Sequence, residues 1–383
     1  MVRPFLDYYR ANSISPVNQD LSDLTRHLER RESLYLALGI VPMLVADRSV
    51  IEFGPGSGHN AVYTSSLRPR RYVLVDGNPS GLRAARVLLD QFSPDRQACV
   101  LVDSLIESFD STERFDLVLC EGTIPGQMDP AAFSRKVGTY AGEGGILVVT
   151  TQDSASCLAE LLRRVVAAQI VPRSKPVPEQ LARLVPFFSA HTATIPGMSR
   201  PVEDWVLDNI IQPYVGNMFS IVQAIEALGR DGFRVYNTSP RFFSIWRWYK
   251  RLIGPERDIG PVVRSEYYSN VVNLMDYRLD GTASHETALG ERVSSLCEAF
   301  YTTLKQTEAQ ETSYVPLFEQ LSEIASAIRP ASAMTATSIE EALAICRRAQ
   351  EGLELPTTPA FTSFFGHGQQ YMSFVRSTTA GSN

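Results

Sequence analysis

The run Val50-Ile51-Glu52-Phe53-Gly54-Pro55-Gly56-Ser57-Gly58-His59-Asn60-Ala61 constrains this chain more than any other stretch. An apolar, β-branched entry, a turn of alternate glycines and a helix-compatible exit read as strand, loop and helix. Three glycines strip the turn of side chains, so a ligand can lie against backbone amides at the helix N-terminus. The loop alone does not choose the ligand, because Gly56, Gly58 and Ala61 also satisfy the G-x-G-x-x-A dinucleotide pattern. Glu52 weighs against a dinucleotide: a carboxylate at the strand end repels a pyrophosphate and suits a cationic ligand.

The same alternation continues downstream. Ser49 to Phe53, Tyr72 to Asp76, Ala98 to Asp103, Phe115 to Cys120 and Gly145 to Thr151 read as buried strands. Helical stretches lie between them at Asn60 to Leu67, Ser80 to Gln91 and Pro130 to Tyr140, so a parallel sheet with crossover helices is expected. Asp76 ends the second strand, where its carboxylate can accept both hydroxyls of a ribose. Asp103 and Ser104 end the third, where a carboxylate can take an exocyclic amine and Leu105 can stack on a purine.

The order Glu52-x-Gly54-x-Gly56-x-Gly58, Asp76, Asp103 and then Phe115-Asp116-Leu117-Val118-Leu119-Cys120-Glu121 resembles the class I S-adenosylmethionine-dependent methyltransferases. The resemblance implies a Rossmann-like α/β fold with a seven-stranded sheet. It also implies S-adenosyl-L-methionine as cofactor, held by Glu52, Gly54, Gly56, Gly58, Asp76, Asp103, Ser104 and Glu121. Met218 to Gly229, Gly232 to Thr238 and Gln370 to Arg376 can supply the last helix and strands. The expected division is a helical cap over 1–45 and a methyltransferase core over 46–153, 216–240 and 366–377. Mostly helical insertions over 154–215 and 241–365 would form a lid or second subdomain. Arg30-Arg31-Glu32-Ser33-Leu34-Tyr35 and Ser239-Pro240-Arg241-Phe242-Phe243 faintly resemble methyltransferases of bacterial surface-glycan synthesis.

Methyl transfer needs an aligned acceptor and, for a hydroxyl, a proton acceptor. Glu121 after the fourth strand, Asp153 after the fifth and His367 between Gly366 and Gly368 are the candidates; a capping or tight-turn role explains each equally simply. His59 is expected at the cofactor's carboxylate end, His27 in solvent, and His191 and His285 in the insertions. The expected reaction is methylation of an oxygen, ahead of a nitrogen, on a small-molecule or glycan-like acceptor. A fold that binds the cofactor without catalysis and, behind it, a nicotinamide-dependent oxidoreductase are the alternatives.

Composition narrows the partners. With 36 basic against 42 acidic residues, nucleic-acid binding is not expected. Five cysteines without a C-x-x-C spacing, and no clustered His/Cys/Asp set, point to a reducing compartment, the cytoplasm, and to no metal. The first residues, Met1 to Arg10, are charged where a signal peptide is apolar, and 209–225 is too polar to span a bilayer. Residues 20–40 read as an amphipathic helix with Asp20 and Ser22 at its start and a leucine stripe. Residues 241–264 carry six basic against two acidic residues, interleaved with Phe242, Phe243, Trp246, Trp248 and Tyr249. An anionic substrate such as a nucleotide-linked sugar, an anionic membrane surface, and a helix with buried aromatics and solvated arginines all account for that stretch. The last seven residues read as a frayed tail.

Overall fold

A computed structural model describes residues 21–198, 200–214, 216–279, 281 and 283–378. Asp20, the residues Met1 to Arg10 and the end of the C-terminal tail lie outside the described residues. The chain divides into two compact units, one of 1–151, 216–264 and 370–383, the other of 152–215 and 265–369.

The first unit is an α/β sheet. In chain order its strands are β1 (Ser49–Phe53), β2 (Arg71–Asp76), β3 (Cys99–Asp103), β4 (Phe115–Cys120), β5 (Ala141–Gln152), β6 (Phe233–Ser239) and β7 (Gln369–Arg376). They lie in the order β3-β2-β1-β4-β5-β7-β6. The pairs β1–β2, β2–β3, β1–β4 and β4–β5 are parallel, and β6–β7 is antiparallel. All five residues of β1 are buried, as befits a central strand covered on both faces. Strand order reverses at β1 and β4, which opens the crevice at their carboxyl ends where sheets of this kind bind ligands.

Among the described residues five helices frame that sheet: α1 (Leu24–Ala37), α2 (His59–Ser66), α3 (Pro79–Phe92), α4 (Pro130–Gly138) and α5 (Ile221–Gly229), the last filling the place expected over Met218 to Gly229. Asp23 caps α1 by accepting the amide of Arg26 at 3.0 Å, a role the sequence suggested for Asp20 and Ser22. Asn78 caps α3 for Pro79 at the first helical position. Tyr35, Leu38, Val50, Tyr72, Leu74, Leu117, Leu119 and Val148 form part of one buried cluster between α1 and the sheet. Each such leucine or valine contributes about 1.5–3 kcal/mol on leaving water.

Residues 241–259 were expected to be helical. They form an exposed loop with two short 3-10 turns, Tyr249–Arg251 and Gly254–Arg257, and they cluster with the sheet. Phe242 is buried and Phe243 is half-buried, but Trp246, Trp248 and Tyr249 face solvent, so buried aromatics do not explain the segment. Pro255 and Gly254 interrupt the run, and of its helically spaced apolar residues Phe242, Trp246, Tyr249 and Ile253 only Phe242 is buried.

The second unit is helical. Its longest helices are Leu158–Ile170, Val177–Thr192, Thr287–Gln310, Val315–Ile328 and Ala333–Gln350. Leu161, Val165, Phe188, Phe300, Leu321, Ile324 and Ile339 are buried within it. Arg164 is fully buried there, paired through two arms with Glu308 and lying 4.0 Å from the Tyr214 ring. Among the described residues no helix is long and apolar enough to cross a membrane. All five cysteines are free and buried.

Candidate active site

β1 runs into a loop whose three glycines take left-handed backbone angles, with φ of 73° at Gly54, 56° at Gly56 and 80° at Gly58. Only glycine adopts these angles without cost. Space requires it too: a Cβ at Gly58 would lie 2.7 Å from the Ala85 Cβ on α3, and one at Gly54 would overlap the Thr123 hydroxyl. The loop is tethered to the next strand, because the Gly56 amide donates to Asp76 Oδ2 at 3.0 Å. Asp76 Oδ1 accepts the Asn78 amide at 2.8 Å, and burial raises its carboxyl above the usual range. Two bonds use half of the carboxylate's roughly four acceptor positions, leaving capacity for two hydroxyls. Asp103 is exposed at the end of β3, and the Ser104 amide donates to the Asp76 carbonyl at 3.2 Å.

Glu52 is buried at the end of β1 and accepts the Tyr72 hydroxyl. Burial first, and the charge of Glu121 second, push its carboxyl up to about 7. Glu121 follows β4 directly, and both its oxygens are taken by one guanidinium: Arg31 Nη1 donates to Oε2 at 2.9 Å and Nη2 to Oε1 at 2.7 Å. The turn beyond is fixed by the Gly122 amide on Thr150 Oγ1 at 2.7 Å.

Arg31 was not assigned a role from sequence, although it sat in a segment singled out there. The structure shows why it escaped notice. The buried residues of α1 are His27, Arg31 and Tyr35, one residue in four along a single face, and not the leucines. Tyr35 hydrogen-bonds Thr64 Oγ1 at 2.6 Å, and the Arg31 guanidinium stands 5.3 Å from the Tyr35 ring. A polar stripe at helical spacing, facing a strand end rich in acids, was the available signal.

His27 is a correction to the expected solvated residue. Its ring is buried, with Nε2 3.0 Å from the His59 carbonyl, and burial lowers its basicity. His59 sits at the start of α2 with Nδ1 2.7 Å from the Ser57 hydroxyl. In the second unit Asp153 is buried, and its Oδ1 accepts the amides of Ala155 and Ser156, both at 2.8 Å. His367 is exposed there, with its amide on the Leu274 carbonyl at 2.9 Å. His191 lies buried against Phe187, Phe188 and Phe361, and His285 is half-buried. Among the described residues no cluster of His, Cys, Asp and Glu could hold a metal ion.

Residues 24–194, which hold α1, the glycine loop and every acid described at the strand ends, match the sequence model of a methyltransferase domain. That stretch is similar to a methyltransferase domain. Solved structures similar to it include the CcbJ methyltransferase from Streptomyces caelestis, at 22% identity over 33% of this chain and 50% of that one, with a TM-score of 0.29. Another is the N-methyltransferase NodS from Bradyrhizobium japonicum WM9 in complex with S-adenosyl-L-homocysteine, at 20% identity over 39% and 75%, TM-score 0.32. A third is magnesium protoporphyrin IX methyltransferase from Synechocystis PCC 6803, at 11% identity over 61% and 90%, TM-score 0.37. The first of these is matched over half its length only. No curated protein matches the sequence.

The cofactor of such domains is S-adenosylmethionine, and the residues of the matched stretch fit it. The loop offers a cradle free of Cβ atoms, three neighbouring strand ends each carry an acid, and the buried Glu52 suits an ammonium group.

Proposed function

We propose that this chain transfers a methyl group from S-adenosylmethionine to an oxygen of a small-molecule or glycan-like acceptor, in the reducing environment of the cytoplasm. One observation carries the reading: Glu52, Asp76 and Asp103 end three adjacent parallel strands beside a left-handed glycine loop at the reversal of strand order. Asp76 and the exposed Asp103 would hold the ribose and adenine, and Gly54, Gly56 and Gly58 would let the amino-acid portion approach the backbone. When bound, the cofactor supplies a sulfonium methyl for in-line displacement.

The chain's own part is alignment and proton acceptance. Glu121, held by Arg31 in one orientation, keeps a lone pair on each oxygen for an acceptor hydroxyl. Asp153 and His367, both in the second unit, are the other proton-accepting groups proposed. Incubation with methyl-labelled S-adenosylmethionine and fractionated small-molecule and glycan extracts tests the reading. Label in an acid-stable ether or ester supports oxygen transfer, and label in an amine refutes that choice of atom.

A second reading has its own support. Glu121 is occupied by Arg31 and Glu52 by Tyr72, so both of these carboxylates have partners already. A domain that binds the cofactor without transferring its methyl group would look like this. It predicts tight cofactor binding and no labelled product with any extract.

A further inference from the structure

The loop 241–259 is held at its ends and open in its middle. Phe242 is buried, with its amide on Thr238 Oγ1 at 2.9 Å. Gly260 is buried beside Ile225, and its amide is fixed to Asp258 Oδ1 at 2.9 Å. Between these anchors Trp246 is 95% exposed, Ile253 70%, Tyr249 69% and Trp248 62%. Four large apolar side chains in eight residues facing water mark a surface that works against a partner.

The charges beside them indicate which partner. Arg247, Lys250, Arg251 and Arg257 are all exposed in the same stretch, with Glu256 as the acid that pairs Arg247 at 3.2 Å. The Lys250 ammonium lies 4.7 Å from the Trp248 ring, so cation and aromatic share one patch. Six basic against two acidic residues give 241–264 a net +4 in a chain of net −6, which leaves −10 on the rest. A surface dense in negative charge would therefore meet this loop and repel the remainder. Tryptophan and tyrosine settle at the headgroup level of a bilayer, and lysine and arginine seek its anionic lipids.

We infer that the loop 241–259 docks this enzyme on an anionic lipid surface, with Trp246, Trp248, Tyr249 and Ile253 entering the headgroup layer and the basic side chains pairing with lipid phosphates. The docking is peripheral and independent of which atom is methylated. It places the chain where a lipid-borne or membrane-confined acceptor would be met.

The whole protein tests this with vesicles. It should sediment with phosphatidylglycerol–phosphatidylcholine vesicles and not with phosphatidylcholine alone, and roughly 1 M salt, where the Debye length is about 3 Å, should release it. The chain has three tryptophans and Trp205 is buried, so a blue shift and quenching by brominated lipid would report Trp246 and Trp248. The triple variant R247Q/K250Q/R251Q should bind roughly a hundredfold more weakly, at about fivefold per charge. W246S/W248S should lose the fluorescence response, and both variants should keep wild-type cofactor affinity and circular dichroism. Failure of the wild type to sediment with anionic vesicles overturns the inference, as does undiminished binding by the triple variant. A concentration-dependent dimer lost in W246S/W248S, without vesicle binding, would overturn it in favour of a second copy.

Discussion

Arg31 and Glu121, ninety residues apart, meet in a two-armed ion pair of 2.9 and 2.7 Å that joins α1 to the carboxyl end of β4. Both side chains are nearly buried, so each charge depends on the other for solvation. Removing one partner of such a pair costs about 3–5 kcal/mol because the other is left uncompensated. Arg31→Met and Glu121→Leu should each lower the urea unfolding free energy by that order. The double variant should recover a large share of the loss, and additive losses would mean the pair is not coupled.

Gly58 joins two requirements, a φ of 80° and the approach of Ala85 on α3. Gly58→Ala should destabilise the chain by about 2–4 kcal/mol, combining left-handed backbone cost with overpacking. It should also weaken cofactor binding, since the start of α2 would shift. Gly229→Ala, where nothing lies within 4 Å of the added carbon, is the control expected to leave both unchanged. Thermal unfolding and calorimetry on the two variants decide this.

Burial holds the Glu52 carboxyl near 7, above its unfolded value, so the folded state prefers it protonated. Its contribution to stability is full below about 4.5 and is lost as pH rises through about 7. Glu160, half-buried and pushed up to about 7 by desolvation, slopes in the same direction. The wild type should therefore lose on the order of 3 kcal/mol more than Glu52→Gln between those limits, measured by unfolding at a series of pH values. A cationic ligand facing Glu52 should also displace its proton. Binding heats near pH 6.5 should then vary with buffer ionisation enthalpy in the wild type and not in Glu52→Gln.

The strand ends that build the site were plain in the sequence. β1 and β4 run as read, and Glu52, Asp76, Asp103 and Glu121 stand at strand ends because a buried apolar run has to stop where the chain turns polar. The start of β5 was hidden: Gly142, Gly144 and Gly145 carry no strand preference, yet the register shift between Phe115 and Leu117 accommodates them. Helix Val177–Thr192 was masked by Pro178 in its first turn and Pro186 inside it, both tolerated in place. The polar face of α1 was missed because its buried residues, His27, Arg31 and Tyr35, are those a hydrophobic pattern ignores. The loop 241–259 was misjudged because composition cannot tell aromatics bound for a core from aromatics presented outward.

The account stands most directly on Asp76, whose carboxylate ties down Gly56 and is the group proposed to hold the ribose. Calorimetric titration of S-adenosylhomocysteine into the wild type and Asp76→Ala is the decisive measurement. The account predicts micromolar-range binding to the wild type, weakened at least roughly tenfold by the substitution through loss of charge-assisted hydrogen bonds. An unmutated, folded protein that gives no binding heat at any accessible concentration would contradict it.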